Sequence, residues 1–101
     1  VEFMKKFKQK TVKCRLDLTF SDSCRKFHSD AVHARAITTL IGPATEYKLN
    51  CCEDDEIRQV KVGETIILKG LRFPGAKTKI LHKSPKISHL DIHRIVFAMD
   101  Y

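Results

Sequence analysis

Alternating apolar and polar positions run through most of the chain and predict strands in preference to helices. Over residues 9–20, Val12, Cys14, Leu16, Leu18 and Phe20 share one face and Lys13, Arg15, Asp17 and Thr19 the other. That period of two marks a half-buried strand with its apolar face turned to the core. Residues 31–41 carry three alanines, but β-branched Val32, Ile37, Thr38, Thr39 and Ile41 favour a second strand. Gly42-Pro43-Ala44 reads as a turn that makes a hairpin with a third strand over 45–52, where Tyr47, Leu49 and Cys51 share a face opposite Lys48. A fourth strand follows Gly63 over 64–73, Pro74-Gly75-Ala76 turns the chain, and a fifth covers 77–83 with Thr78, Ile80 and His82 on one face. Ile87, Leu90, Ile92, Ile95, Val96 and Met99 fit neither period, so the C-terminal segment is a sixth strand or a helix. The connectors have no room for repeated helical crossovers. The expectation is an all-β or mainly β fold, a small five-stranded barrel with a short connector and a C-terminal strand or helix.

The chain of 101 residues is the size of one domain. Residues 9–101 are expected to form it, with 1–8 as a basic arm in which Val1-Glu2-Phe3 reads as a vector remnant ahead of Met4. No apolar run approaches the roughly 20 residues of a membrane span, and the first residues lack the apolar region of a signal peptide. Cys51 and Cys52 are adjacent and no CxxC spacing occurs, so neither a disulfide nor a metal site is expected. Reduced thiols in an intracellular protein fit better, with Cys14 and Cys51 as small core residues.

Charge changes the picture. The formal net charge is +7, with eight Lys and Arg against three Asp and Glu over 1–26, two against six over 27–56, and nine against two over 57–99. Two basic ends lying side by side would make the positive surface that a phosphate backbone requires.

The order of strands, together with Val60-Lys61-Val62-Gly63-Glu64-Thr65-Ile66-Ile67-Leu68, resembles the oligonucleotide/oligosaccharide-binding (OB) barrels of single-strand binding proteins, of the replication-protein-A-like and telomere-end-binding, protection-of-telomeres type. In that pattern Gly63 supplies the tight turn, and Ile66 and Leu68 enter the barrel. The resemblance spans about residues 9 to 83 and implies a ligand held between the loops 21–30 and 73–79. Each loop sets a phenylalanine among basic residues: Phe27 with Arg25, Lys26 and His28, and Phe73 with Arg72, Lys77 and Lys79. Stacking contributes roughly 1–3 kcal/mol per base, and nearby cations hold phosphates. Lys13, Arg15, His33, Arg35, Lys48 and Lys69 would extend the track along the strands.

An enzyme reading has two sources, His28-Ser29-Asp30 and His89-Leu90-Asp91-Ile92-His93. Without a glycine-rich phosphate loop, a nucleophile elbow or HExxH, the chain is read as noncatalytic and without cofactor or metal. The function expected is binding of single-stranded nucleic acid, DNA before RNA, in nuclear telomere or genome maintenance. The alternative is a protein-interaction module of a larger nucleic-acid-maintenance complex, with a protein partner on residues 87–99.

Overall fold

The computed structural model describes residues 11–20, 26–49, 56–75 and 80–101. These form an all-β fold of two antiparallel sheets: β1 Lys13–Thr19, β2 Ala34–Ile41, β3 Glu46–Leu49, β4 Arg58–Gln59, β5 Thr65–Lys69, β6 Ile80–Lys83 and β7 Arg94–Asp100. One sheet runs β1-β7-β2-β5 and the other β4-β3-β6. Neither closes on itself, so the five-stranded barrel gives way to two facing open sheets. The C-terminal segment is a strand, β7, at the centre of the larger sheet between β1 and β2. No helix among the described residues is long and apolar enough to cross a membrane.

The expected hairpin over 31–52 is replaced by a crossing. Gly42, at φ +90°, and Pro43 carry the chain out of β2 in the larger sheet into β3 of the smaller one. β5 and β6 are divided in the same way. A turn signal marks a reversal of direction but not which strand pairs with the next. Gly63 does what its sequence context implies. Its φ of +88° serves the turn, its N–H donates to the Thr39 carbonyl at 2.8 Å, and Leu68 beyond it is 4% exposed.

The first strand is inverted relative to expectation. Leu16, Leu18 and Phe20 are 65%, 57% and 66% exposed, and Cys14 is exposed rather than in the core. Register places Leu16 opposite Phe97 and Leu18 opposite Ile95 on this outer face, while Arg15, Asp17 and Thr19 lie opposite Ala98, Val96 and Arg94 on the inner one. Alternation shows that a strand has two faces; it does not show which one turns inward when the space between the sheets is itself polar. Between the sheets lie Ile37, Leu68 and Ala98, together with buried Thr39, His82 and Arg94.

Candidate metal centre

A cleft of about 140 Å³ opens on the inner face, lined by Arg15, Asp17, Thr19, His28, Asp30, Arg35, Ile37, Thr45, His82, Lys83, Ser84, Arg94, Val96 and Ala98. At one end His28, Asp30 and His82 converge, with one ligand-type atom from each within 4.8 Å of the others. Among the described residues this is a complete set of two imidazoles and one carboxylate.

Backbone bonding builds the set from segments far apart in sequence. His28 forms an isolated antiparallel bridge with His82, each N–H donating to the other's carbonyl at 3.0 Å. In β6, His82 lies opposite Tyr47 of β3, a register that turns its ring inward, where it is 5% exposed. Asp30 follows His28 by two residues, so both side chains leave the segment on the same side. Its carbonyl accepts the Leu71 N–H at 2.8 Å, beside bonds from Gly70 N–H to the His33 carbonyl (2.8 Å) and Arg72 N–H to the Val32 carbonyl (3.1 Å). The turn after β5 thus clamps the segment that carries the carboxylate. Gly70 permits this contact: a Cβ there would meet the Val32 carbonyl oxygen at 1.9 Å.

The tautomer of His28 follows from its partner. Nδ1 lies 2.9 Å from the Lys26 carbonyl oxygen, which can only accept, so Nδ1 carries a proton and Nε2 is the nitrogen turned toward the cleft. Nε2 lies in hydrogen-bond contact with Asp30 Oδ1 at 3.2 Å. His82 Nε2 lies 2.9 Å from Asp30 Oδ2. Oδ2 also lies 2.9 Å from Arg35 Nη1, yet it is buried without an aligned hydrogen bond, so the attraction there is one of charge and lone-pair capacity remains. Burial pushes the Asp30 carboxyl up, but His82, Arg35 and His28 outweigh it and hold it below its ordinary range.

Arg94 stands farther along the same cleft, on the inner face of β7. It is 3% exposed; Nε donates to the Pro43 carbonyl at 2.7 Å and Nη2 to Thr39 Oγ1 at 3.4 Å. Among the described residues no carboxylate pairs with it, and burial pulls the guanidinium below its ordinary pKa.

The nucleic-acid candidates are dispersed. His28 is part of the metal cluster, and Arg35 is bound to Asp30 and Asp100. Arg15 pairs with Asp17 at 2.6 Å at the cleft mouth. The Phe27 ring lies under Lys48 and Lys83, at 4.7 and 5.2 Å, and Lys69 sits 5.0 Å over Phe73, which packs against Ala34 and Ala36. Lys13, His33 and Arg72 border a separate open groove in which His33 stacks on Tyr101. Lys26 is exposed, with its carbonyl oxygen against His28 Nδ1. Arg25, Lys77 and Lys79 lie outside the described residues, as do Cys24, Cys51 and Cys52. His89, Asp91 and His93 are exposed in the loop before β7, with the His93 ring against Phe20. Of residues 87–99, Ile87 is fully buried and 94–99 lie in β7, while Leu90 and Ile92 are exposed in the loop between.

Sequence reasoning singled out His28 and Asp30 but neither His82 as their partner nor Arg94. The spacing of 54 residues between His28 and His82 carries no local signal. The one hint available was a histidine on a strand's inward face.

One family profile matches residues 1–100, described as "Protein of unknown function (DUF1826)". No curated protein and no solved structure matches the chain.

Proposed function

The chain belongs to the DUF1826 family, and from the geometry of its cleft we propose that it is a non-haem iron(II) oxygenase that uses a 2-oxo dicarboxylic acid as co-substrate. The observation that carries this reading is the convergence of His28 Nε2, His82 Nε2 and the Asp30 carboxylate. Two imidazoles and one carboxylate on one side of a divalent ion leave the other side open, the arrangement suited to iron(II) oxygen chemistry.

Charge then selects the co-substrate. A divalent ion on one carboxylate leaves a single positive charge at that end of the cleft, because Asp100 neutralises Arg35. Arg94, which lines the same cleft, supplies a second, buried charge. A dianion would satisfy both, one end at the metal held by His28, His82 and Asp30 and a distal carboxylate on the Arg94 guanidinium. A cavity near 150 Å³ holds about one benzene-sized molecule, so a cleft of about 140 Å³ suits a short acid.

Electron balance gives the acid its 2-oxo group. Dioxygen takes up four electrons in all: a C–H bond of the main substrate supplies two, and oxidative loss of CO₂ from a 2-oxo acid the other two. One oxygen atom ends in the new hydroxyl of the substrate and the other in the carboxylate of the shortened acid. The protein's part is to hold the ion, orient the acid between metal and Arg94, and keep the reacting atoms in a partly enclosed site.

The test is anaerobic titration of the iron(II)-loaded protein with 2-oxoglutarate, followed by oxygen. A visible charge-transfer band on addition of the acid, then oxygen-dependent release of CO₂ and succinate, is the expected result. Asp30→Ala and His82→Ala should abolish both signals while the far-UV spectrum stays β-like. A wild-type protein that binds neither iron(II) nor cobalt(II) at micromolar concentration would sink the proposal.

A second reading, noncatalytic binding of single-stranded nucleic acid, draws on the net charge of +7. It requires anisotropy titrations with single-stranded DNA and RNA to weaken with salt, at a log-log slope of about −0.7 per phosphate contacted. Binding that ignores salt would remove it.

A further inference from the structure

We propose that the outer edge of β1 is a docking surface for a second copy of this chain, the two β1 strands pairing antiparallel about a two-fold axis at Leu16.

Among the described residues β1 has one neighbour, β7, and lies at the edge of the larger sheet. The N–H and C=O groups on its other side are a template for a further strand. Side-chain exposure agrees with that position, since Lys13, Cys14, Arg15, Leu16 and Leu18 are all exposed. Two of them are large and apolar, Leu16 at 65% and Leu18 at 57%. Proteins often blunt such an edge with charges of one sign, which repel a like strand. Here the charges have both signs, and their order selects a partner.

If two copies join so that inner face continues inner face, residues directly opposite each other come from the same row of the strand. The two-fold axis then passes through a residue position and not between two. An axis at Arg15 would set the two copies of Arg15 against each other, and an axis at Asp17 the two copies of Asp17; both arrangements are unfavourable. An axis at Leu16 sets Arg15 opposite the partner's Asp17 twice over, Leu16 opposite its own copy, and Cys14 opposite the partner's Leu18. Charge and apolar rows match in this register alone of the three. Arg15 already holds Asp17 of its own strand at 2.6 Å, so the two couples would form a square of alternating charges that keeps the local attractions and adds the cross-strand ones.

Both faces gain continuity. On the outer one, Leu16 and Leu18 lie beside Phe97 and Ile95 of β7, and the pairing extends this apolar row across the seam. On the inner one, Arg15, Asp17 and Thr19 line the cleft, so the two clefts would open on the same side of one continuous sheet, with their charged mouths meeting at the axis.

Sedimentation of the wild type across micromolar concentrations, well below its unfolding temperature, is expected to show a monomer–dimer equilibrium. Asp17→Arg and Arg15→Asp should each weaken the dimer about 10- to 100-fold. Mixing the two variants then separates contact between chains from contact within one. Each variant carries like charges along its own strand, whereas a mixed pair restores opposite charges at both cross-strand positions, so a heterodimer should form with near wild-type affinity. If a charge variant does not fold, Leu16→Lys, at an exposed side chain, carries the test: it sets two ammonium groups face to face at the axis and should give a folded monomer. A wild type that stays monomeric at every concentration overturns the inference. So does a dimer that persists unweakened in the folded variants, or a mixture of folded charge variants that yields no heterodimer.

Discussion

Arg94→Met is expected to separate folding from function. Removing one partner of a buried charge pair costs about 3–5 kcal/mol, and at 1.4 kcal/mol per tenfold the apparent KM for 2-oxoglutarate should rise by two to three and a half orders of magnitude, roughly 10²- to 4 × 10³-fold. The fold should barely register the change. Arg94 is a buried cation without a carboxylate partner among the described residues, so folding already bears its desolvation. Relief of that cost offsets the lost bonds to Pro43 and Thr39, and the net stability change should stay within about 1 kcal/mol. A 2-oxo monocarboxylic acid has no distal carboxylate to lose and should be used equally by wild type and variant. A variant whose KM for the dicarboxylate is unchanged would show that the acid does not reach Arg94.

Gly70→Ala should have the opposite profile, a structural loss that takes the site with it. An added Cβ would lie 1.9 Å from the Val32 carbonyl oxygen and 2.8 Å from that of Asp30. Both obstacles are backbone, so no side chain can swing aside. Overpacking typically costs about 1–3 kcal/mol, and a backbone obstacle puts this one at the upper end; at about 4–8 °C per kcal/mol for a domain of this size, the melting temperature should fall by about 12–24 °C. Any protein that remains folded should bind metal poorly, because the turn bonded to the Asp30 carbonyl will have been displaced. Gly75→Ala is the control. Nothing lies within 4 Å of its added Cβ, and only the φ of +102° is strained, at about 1–2 kcal/mol. Equal losses at both glycines would show that close approach at Gly70 is not the cause.

Strand identity was legible in the sequence where local chemistry decides it. The alternation around Arg15 and Arg35, the breaks at Gly42 and Gly63, and the inward Leu68 all rest on neighbours a few residues apart. Sheet membership was not legible, because β2 and β3 are consecutive yet pair with strands remote in sequence. The first strand misled for a related reason. Its apolar row covers the outside of the larger sheet, and its polar row lines a charged cleft. Of the candidate centre, His28 and Asp30 stood out as a pair, but a ligand set is a property of register. His82 enters it through a bridge to His28 and the pairing of β6 with β3. Arg94 carries no motif; only its burial without a carboxylate gives it meaning.

The inner face of β7 presents Arg94, Val96 and Ala98 to the cleft in turn, and a strand places same-face residues at steps of about 6.8 Å. On the proposed reading the larger sheet would act as a ruler between the metal site and the cation, with Arg94 set at one graduation. The length of acid that can span them is fixed by hydrogen-bond register, the stiffest dimension in the molecule, and not by loops that can adjust. Co-substrate choice in such an enzyme changes in whole steps: relocating the cation by two residues along β7 would demand a different molecule instead of weakening the hold on the same one.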